Sequence, residues 1–129
     1  MIAMTPKETI DAIYAAFGRA DIPFILSQVA PDAVWRQPGV PWGGDYCGPA
    51  GAGEFFSKLN AVVKTTGFEV EEDLDVGNNV VSFGYYTSKN RTTGKTSRAR
   101  FIFRWQVTNG KVTMYDAVVD SAPVVAATQ

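Results

Sequence analysis

The second half of the chain consists of long segments in which apolar and polar residues alternate. In the clearest of them, Phe101, Phe103 and Trp105 fall on one face, and Ile102 and Arg104 fall on the other. Successive side chains of a β-strand point to opposite faces, so this alternation predicts a strand with one aromatic face. Such a face has to be covered by other elements of the fold, so the rest of the chain must supply apolar surfaces that pack against it.

Further alternating segments surround this strand. Residues 68–76 alternate apolar with acidic side chains, except that Glu72 occupies one of the apolar positions, and residues 80–89 return after a Gly-Asn-Asn turn. An Asn-Gly pair, which is a strong two-residue hairpin signal, leads into a final strand over 112–120. The pattern predicts a meander of long antiparallel strands.

The first part of the chain carries helical patterns instead. The Thr-Pro-Lys-Glu run at 5–8 has the form of a capping box, and apolar residues then recur at helical spacing through Phe17. Asp21 is placed to cap a second, short helix. Helices followed by antiparallel strands predict an α+β domain.

Between the second helix and the meander, the sequence predicts a short strand over 33–37 and a third helix over 53–64. Residues 38–53 are rich in glycine and proline and predict a loop with no regular element. A sheet with one apolar face must curl around the helices to cover it, and the open end of the resulting cone is a natural ligand cavity. We therefore predict a single domain over 1–129, in which a cone-shaped, curved antiparallel (mixed) sheet wraps around the N-terminal helices.

Composition excludes several classes of chemistry. The chain contains no histidine and one cysteine, which removes Ser-His-Asp and Cys-His nucleophile systems, histidine zinc sites and an internal disulfide. Its 12 basic and 13 acidic residues nearly balance, so no strong field attracts nucleic acid or a membrane surface. We expect no metal, no cofactor, no nucleic-acid partner and no membrane partner.

The N-terminal stretch MIAMTPKET has no basic region followed by an apolar segment, and no apolar run approaches the ~20 residues that cross a bilayer. A cytoplasmic location is the expectation that follows.

The order helix, helix, strand, helix and four strands resembles the nuclear transport factor 2-like superfamily. Three regions are similar to its SnoaL-like and ketosteroid-isomerase-like branch: YAAFGRAD at 14–21, VWRQPGVPWGGDYCGPAGAGEFF at 34–56, and WQVTNGKV at 105–112 followed by VVDSA at 118–122. The resemblance covers nearly the whole chain and implies the cone fold, which hosts many different chemistries.

Ketosteroid isomerases abstract a proton with a carboxylate and stabilise the enolate with a tyrosine and a protonated aspartic acid. By position, the resemblance puts these groups at Gln37, Ile13 and Phe101. An amide cannot abstract the proton, and neither isoleucine nor phenylalanine can stabilise an oxyanion. Isomerisation of a steroid double bond is therefore expected to be absent or negligible.

The resemblance to SnoaL-type cyclases implies a histidine on the penultimate strand and an aspartate near the end of the last strand. The histidine position is occupied by Phe103, whereas the aspartate is retained as Asp120. Limonene epoxide hydrolases, on the same fold, use an Asp-Arg-Asp relay, and no aspartate alternates with Arg98 and Arg100 here. Asp120 is thus the predicted acid or base of an isomerase, cyclase or hydrolase. The alternative is a strand-end aspartate that bonds nearby backbone N–H groups.

Strand parity predicts that Asp120 and Val118 face inward, next to the aromatic face that we interpret as the wall of a pocket. Asp116 has the same parity, although exposure at a bulge is its alternative. Gln37 is placed to orient a polar group of the ligand, and Trp42 and Tyr46 could close the mouth of the cavity. The predicted ligand-contacting residues are Tyr14, Trp35, Gln37, Trp42, Tyr46, Phe55, Phe101, Phe103, Trp105, Asp116 and Val118.

Two functions remain open. In the first, the cavity holds a small hydrophobic or aromatic ligand, with or without catalysis. In the second, side chains fill the cone, and the protein is a non-catalytic interaction module that pairs through its outer sheet face. We expect a homodimer through the stripe from Arg98 to Gln106, with acidic residues between 69 and 75 interleaved. Cavity volume and the presence of a buried carboxylate distinguish the two functions.

Overall fold

A computed structural model describes residues 4–129. Met1–Ala3, the first residues of the N-terminal stretch MIAMTPKET, lie outside the described residues. The helices are α1 (Pro6–Gly18), α2 (Ile22–Ser27), α3 (Gly48–Val62) and α4 (Ser121–Ala126). The strands are β1 (Val29–Gln37), β2 (Gly44–Cys47), β3 (Val63–Val76), β4 (Asn79–Asn90), β5 (Thr96–Thr108) and β6 (Lys111–Val119). None of the helices in this part of the chain is long and apolar enough to span a membrane.

The strands form one open sheet in the order β2-β1-β6-β5-β4-β3. Every neighbouring pair is antiparallel except β1 and β6, which are parallel. Helix α3 contacts β1 and β2, and α1 contacts β4 and β5, so the helices cover the concave face of the sheet. The predicted α+β class with a mixed sheet around the N-terminal helices is confirmed.

The two helix starts form as the sequence predicts. Thr5 Oγ1 accepts a hydrogen bond from the Glu8 backbone N–H at 3.1 Å, and Glu8 Oε1 accepts one from the Thr5 N–H at 2.9 Å, which closes the capping box of α1. Asp21 Oδ1 accepts from the Phe24 N–H at 3.2 Å and caps α2. These bonds use backbone donors that a helix leaves unpaired in its first turn.

The prediction of a loop over 38–53 is wrong for its second half. Residues Gly44–Cys47 form β2, which pairs with β1, and α3 begins at Gly48, five residues before the predicted start. Gly48 has φ +68°, and a Cβ there would lie 2.4 Å from the Pro31 carbonyl oxygen. This glycine turns the chain from strand into helix where other residues would clash, rather than marking a segment without regular structure.

The aromatic face of β5 points inward as predicted. Phe101, Phe103 and Trp105 are 0%, 8% and 3% exposed. The register pairs Phe103 with Ala117 and Trp105 with Tyr115, so the odd-numbered residues of β6 share this inner face.

The predicted parity of β6 is therefore wrong. Val118 lies opposite Ile102 on the outer face and is 58% exposed. Asp116, which has the same parity, lies opposite Arg104 on that face and is half-buried. A change of one residue in pairing moves every side chain of a strand to the other face.

A bulge in β3 changes the alternation predicted for 68–76. The pairing of β3 with β4 is irregular between Val70 and Glu72, and beyond it Asp73 lies opposite the buried Ser82. Phe68 packs on the core, whereas Leu74 is 44% exposed. An extra residue in one strand reverses which side chains face the core, so an acid replaces leucine on the inner side.

Gly84 lets β3 and β5 approach β4 closely. A Cβ at this position would lie 1.9 Å from the Glu69 carbonyl oxygen and 2.8 Å from Cζ of Phe101. The ring of Phe101 thus occupies the space that a side chain on β4 would need, and it stacks at 5.1 Å on Phe68 from β3.

We expect Gly84→Ala to lower the free energy of unfolding by about 3 kcal/mol, because both contacts would force backbone and ring apart. Gly18→Ala is the matched control, since a Cβ there meets nothing within 4 Å. It should stabilise the protein by about 0.5 kcal/mol, because alanine favours the helix. Urea unfolding followed by circular dichroism measures both. Equal effects of the two substitutions would contradict the packing described here.

Candidate functional site

A cavity of about 60 Å³ lies between the inner face of the sheet and helices α1, α2 and α3. None of its lining residues is charged, and most are aromatic. The lining consists of Ile13, Tyr14, Phe17, Ile25, Trp35, Gln37, Trp42, Phe55, Phe56, Leu59, Phe68, Tyr86, Phe103, Trp105 and Tyr115.

Aromatic rings fill most of the cone. The ring of Tyr115 lies 4.4 Å from that of Trp35 and 4.5 Å from that of Trp105. The remaining space holds about four to six water-sized atoms, whereas pockets for drug-sized ligands measure roughly 300–1,000 Å³. In this conformation the cavity accommodates a small group, not a whole ring system.

Two side chains of β1 supply polar groups to the wall. Gln37 is 3% exposed, and its Oε1 accepts a hydrogen bond from the Tyr115 hydroxyl at 2.6 Å. This bond orients the amide and leaves its NH₂ group as the donor end of the side chain. Trp35, two residues earlier and therefore on the same strand face, is 1% exposed.

The indole N–H of Trp35 has no hydrogen-bond partner within the described part of the chain. A buried donor without an acceptor costs about 1–3 kcal/mol. Trp35 lines the cavity, and an unsatisfied donor on such a residue is a candidate partner for an acceptor of a ligand.

A chain of hydrogen bonds leads from the cavity wall to the surface. Trp105 Nε1 donates to the Tyr14 hydroxyl at 2.8 Å, and Tyr14 donates to Ser82 Oγ at 2.6 Å. Ser82 in turn donates to Asp73 Oδ1 at 2.5 Å. The second oxygen of Asp73 lies 3.3 Å from Lys7 Nζ. The chain holds α1, β3, β4 and β5 together around the Tyr14 ring.

Burial keeps the lining tyrosines protonated. It raises the pKa of Tyr86 to about 12, although a hydrogen bond with Thr65 partly opposes the shift. Burial also raises the pKa of Tyr14 and of Tyr115. At neutral pH the cavity therefore presents neutral hydroxyl, amide and indole groups. Among residues 4–129, no three acidic or cysteine side chains lie close enough together to hold a metal ion.

Seven of the predicted ligand-contacting residues line the cavity, and four do not. Tyr46 lies behind the wall, where its hydroxyl donates to the Trp42 carbonyl at 3.1 Å. Phe101 is fully buried beneath Phe103, with ring centroids 4.0 Å apart. Asp116 and Val118 lie on the outer face, as described above. The seven that line the cavity are Tyr14, Trp35, Gln37, Trp42, Phe55, Phe103 and Trp105.

Asp120 does not face the cavity. It is exposed and caps α4, with Oδ1 accepting from the Ala122 N–H at 3.3 Å, while its own N–H donates to the Arg100 carbonyl at 2.8 Å. The prediction of inward burial is wrong because β6 ends at Val119 and the chain turns there into α4. Its geometry is the alternative considered above, a strand-end aspartate bonded to backbone N–H groups.

Several residues of the site were not predicted from the sequence. Tyr115 is one of them, because the even-numbered residues of β6 were predicted to face inward and the odd-numbered ones do. Ser82 carries a signal that can be recognised, since it is a polar residue between Val80 and Gly84 on an otherwise core-facing side of β4. The other lining residues that were not singled out are Ile13, Phe17, Ile25, Phe56, Leu59, Phe68 and Tyr86.

A family model described as the SnoaL-like domain matches residues 10–115, which is most of the chain. The chain belongs to the SnoaL-like family. The predicted resemblance is thereby confirmed. A comparison with curated proteins gives no match to this SnoaL-like domain.

Solved structures agree with this assignment. A nuclear transport factor 2-like protein from Burkholderia thailandensis is 28% identical, with a TM-score of 0.90 and coverage of 98% of each chain. TerC, co-crystallised with polyporic acid, is 30% identical, with a TM-score of 0.77 and coverage of 94% of this chain and 93% of TerC. IdmH from Streptomyces antibioticus, a putative polyketide cyclase, is 19% identical over 97% of this chain and 99% of its own, with a TM-score of 0.76, and shares the fold.

We expect Ser82→Ala to lower the free energy of unfolding by about 2–3 kcal/mol, because it removes the acceptor of the Tyr14 hydroxyl and the donor to Asp73 Oδ1. Ser88→Ala is the control. Ser88 is equally buried on the same strand but shares one 3.2 Å bond with Ser97, so its loss should cost about 1 kcal/mol. Denaturant titration of the two variants distinguishes them. A smaller effect at Ser82 than at Ser88 would show that the hydrogen-bond chain contributes little.

Proposed function

We propose that this SnoaL-like protein binds a small, mainly apolar ligand whose hydrogen-bond acceptor, such as a carbonyl oxygen, enters the aromatic cavity. The observation that carries the proposal is the Trp35 indole N–H, which is buried without an acceptor among residues 4–129 and belongs to a residue that lines the cavity. A ligand oxygen would remove the cost of the unpaired donor, and the Gln37 amide on the same strand face offers a second donor. The uncharged lining suits an apolar molecule.

The proposal favours binding over acid–base catalysis. An isomerase, cyclase or hydrolase reaction needs a group that exchanges protons within reach of the ligand. No carboxylate lines the cavity, Asp120 lies outside it, and Asp73 is joined to the lining only through Ser82. The raised pKa of Tyr14 makes its hydroxyl a poor base at neutral pH.

The comparison with TerC supports an aromatic or carbonyl-bearing ligand. TerC is 30% identical over most of both chains and was co-crystallised with polyporic acid. The cavity of the present protein is small, so a ligand of that kind would place only one end inside and would require the aromatic wall to open for the remainder.

The donor role of Trp35 can be tested with two ligands of the same shape. Acetophenone carries a carbonyl oxygen where α-methylstyrene carries a methylene group. We expect the wild type to prefer acetophenone by about fivefold, the value of one hydrogen bond of about 1 kcal/mol, and Trp35→Phe to remove this preference. Isothermal calorimetry measures both affinities.

Trp42→Phe is the matched control, because it makes the same change of ring size elsewhere in the lining. The carbonyl preference should persist in that variant. Equal affinity of the wild type for the two ligands, or a preference unaffected by Trp35→Phe, would contradict the proposed role of the indole N–H.

We also infer a homodimer through the outer face of the sheet. The exposed Ile102 and Val118 lie opposite each other, and Phe83 lies beside Ile102, so an apolar stripe crosses β4, β5 and β6. Beside it, Arg98 and Arg100 form ion pairs of 3.2 and 3.1 Å with glutamates of β3 in the same chain. Both arginines are thus neutralised by glutamates of their own subunit, and the apolar stripe is the surface that would contact the partner subunit.

Light scattering at micromolar concentration should give twice the mass of one chain. Val118→Glu should shift the protein to monomer, because it would put a charge into the apolar contact. Val76→Glu makes the same change at a 63% exposed position at the end of β3 and should leave the dimer intact. A monomeric wild type would exclude the dimer.

A further inference from the structure

A groove of about 840 Å³ lies beside the cavity, between α1, α3 and the first residues of β3. Five residues line both the cavity and the groove. They are Tyr14, Phe17, Phe56, Leu59 and Phe68. One layer of side chains therefore borders both the cavity and the groove.

Aromatic rings form most of this layer. Phe17 lies 5.5 Å from Phe68 and 6.2 Å from Phe56 between ring centroids, and all three rings are half-buried. Changes of side-chain rotamer are common when ligands bind. Because the cavity holds only a few atoms, a ligand anchored there has to continue through this layer into the groove.

The groove differs from the cavity in its charge. Lys64 and Arg91 line it, and no aspartate or glutamate does. Neither cation forms a salt bridge with any residue in 4–129, whereas Lys7, Lys58 and Arg98 all lie beside carboxylates. Lysine and arginine without an acidic partner favour an anion.

Arg91 is held in position for this role. Its Nε donates to the Asn60 carbonyl at 2.5 Å and one terminal nitrogen donates to Asn60 Oδ1 at 2.8 Å. The second terminal nitrogen of the guanidinium group makes no bond to a described residue, and Arg91 and Lys64 both line the groove. A fixed guanidinium loses less entropy when it binds a carboxylate than a free one.

We propose that the ligand is an amphipathic carboxylate that occupies both spaces. Its apolar end, with the carbonyl oxygen, lies in the cavity, and its carboxylate lies in the groove beside Lys64 and Arg91. This inference rests on the proposed function and adds the chemical class of the ligand and a second subsite.

The test uses 5-oxohexanoate, whose acetyl end is small enough for the cavity, and its primary amide, which has the same carbonyl and nearly the same size but no charge. We expect the wild type to bind the acid about fivefold more tightly than the amide, as for a partly exposed charge pair. Raising the salt concentration from 20 to 300 mM should weaken binding of the acid and leave the amide unaffected. Calorimetry at pH 7 gives both constants.

Lys64→Glu should abolish or reverse the preference for the acid while the amide binds as before. Lys64 is exposed, so the variant should fold. Lys111→Glu is the control with the same charge change. Arg91 precedes the first residue of β5, whereas Lys111 follows its last residue and begins β6. The Lys111 side chain donates to the Ser27 carbonyl and does not line the groove, so the preference should remain.

The outcomes separate the subsite from the cavity. Equal affinity for acid and amide, with both weakened by Trp35→Phe, would overturn the anionic subsite and leave the proposed function standing. A preference for the acid that survives Lys64→Glu would also overturn the subsite. Failure of both compounds to bind would overturn the inference together with the proposed function.

Discussion

The pairing of β5 with β6 determines which side chains reach the inside of the cone. Trp105 faces Tyr115 and Phe103 faces Ala117, so the aromatic side of β5 continues onto the odd-numbered side of β6. Tyr115 then meets Gln37 of the parallel neighbour β1, and its hydroxyl orients the amide in the cavity wall. The same register sends Val118 outward, where it forms the apolar stripe of the outer face together with Ile102.

The interior combines dense aromatic packing with a small number of paired polar groups. Rings stack and cross in an almost continuous layer from Phe68 through Phe101 and Phe103 to Tyr115. Burying polar atoms in such surroundings costs folding free energy unless they form hydrogen bonds. The Tyr14 and Tyr115 hydroxyls have partners, which makes the unpaired indole N–H of Trp35 an exception with a functional interpretation. The cone is neither empty nor completely filled.

Local irregularities of strand pairing help to produce the site. The bulge in β3 between Val70 and Glu72 brings Asp73 to the inner side opposite Ser82, which completes the hydrogen-bond chain to Tyr14. A second bulge, at Thr113 of β6 opposite Gln106 and Val107, lies just beyond Trp105. Bulges redirect side chains beside functional sites because they change alternation without ending the strand. Neither can be recognised from apolar periodicity, since each depends on how the partner strand is paired.

The sequence by itself determined most of the elements and much of the lining. Capping residues at Thr5 and Asp21, alternation in β5 and the absence of histidine are local or compositional properties, and they led to the α+β class, the aromatic wall and the exclusion of histidine chemistry. Only the tertiary structure decided the register of β6, the exposure of Asp120, the role of Ser82 and the size of the cavity. These depend on contacts between residues far apart in the chain, such as the 68 positions between Tyr14 and Ser82. A shift of one residue in strand pairing reverses such contacts while leaving every local pattern unchanged.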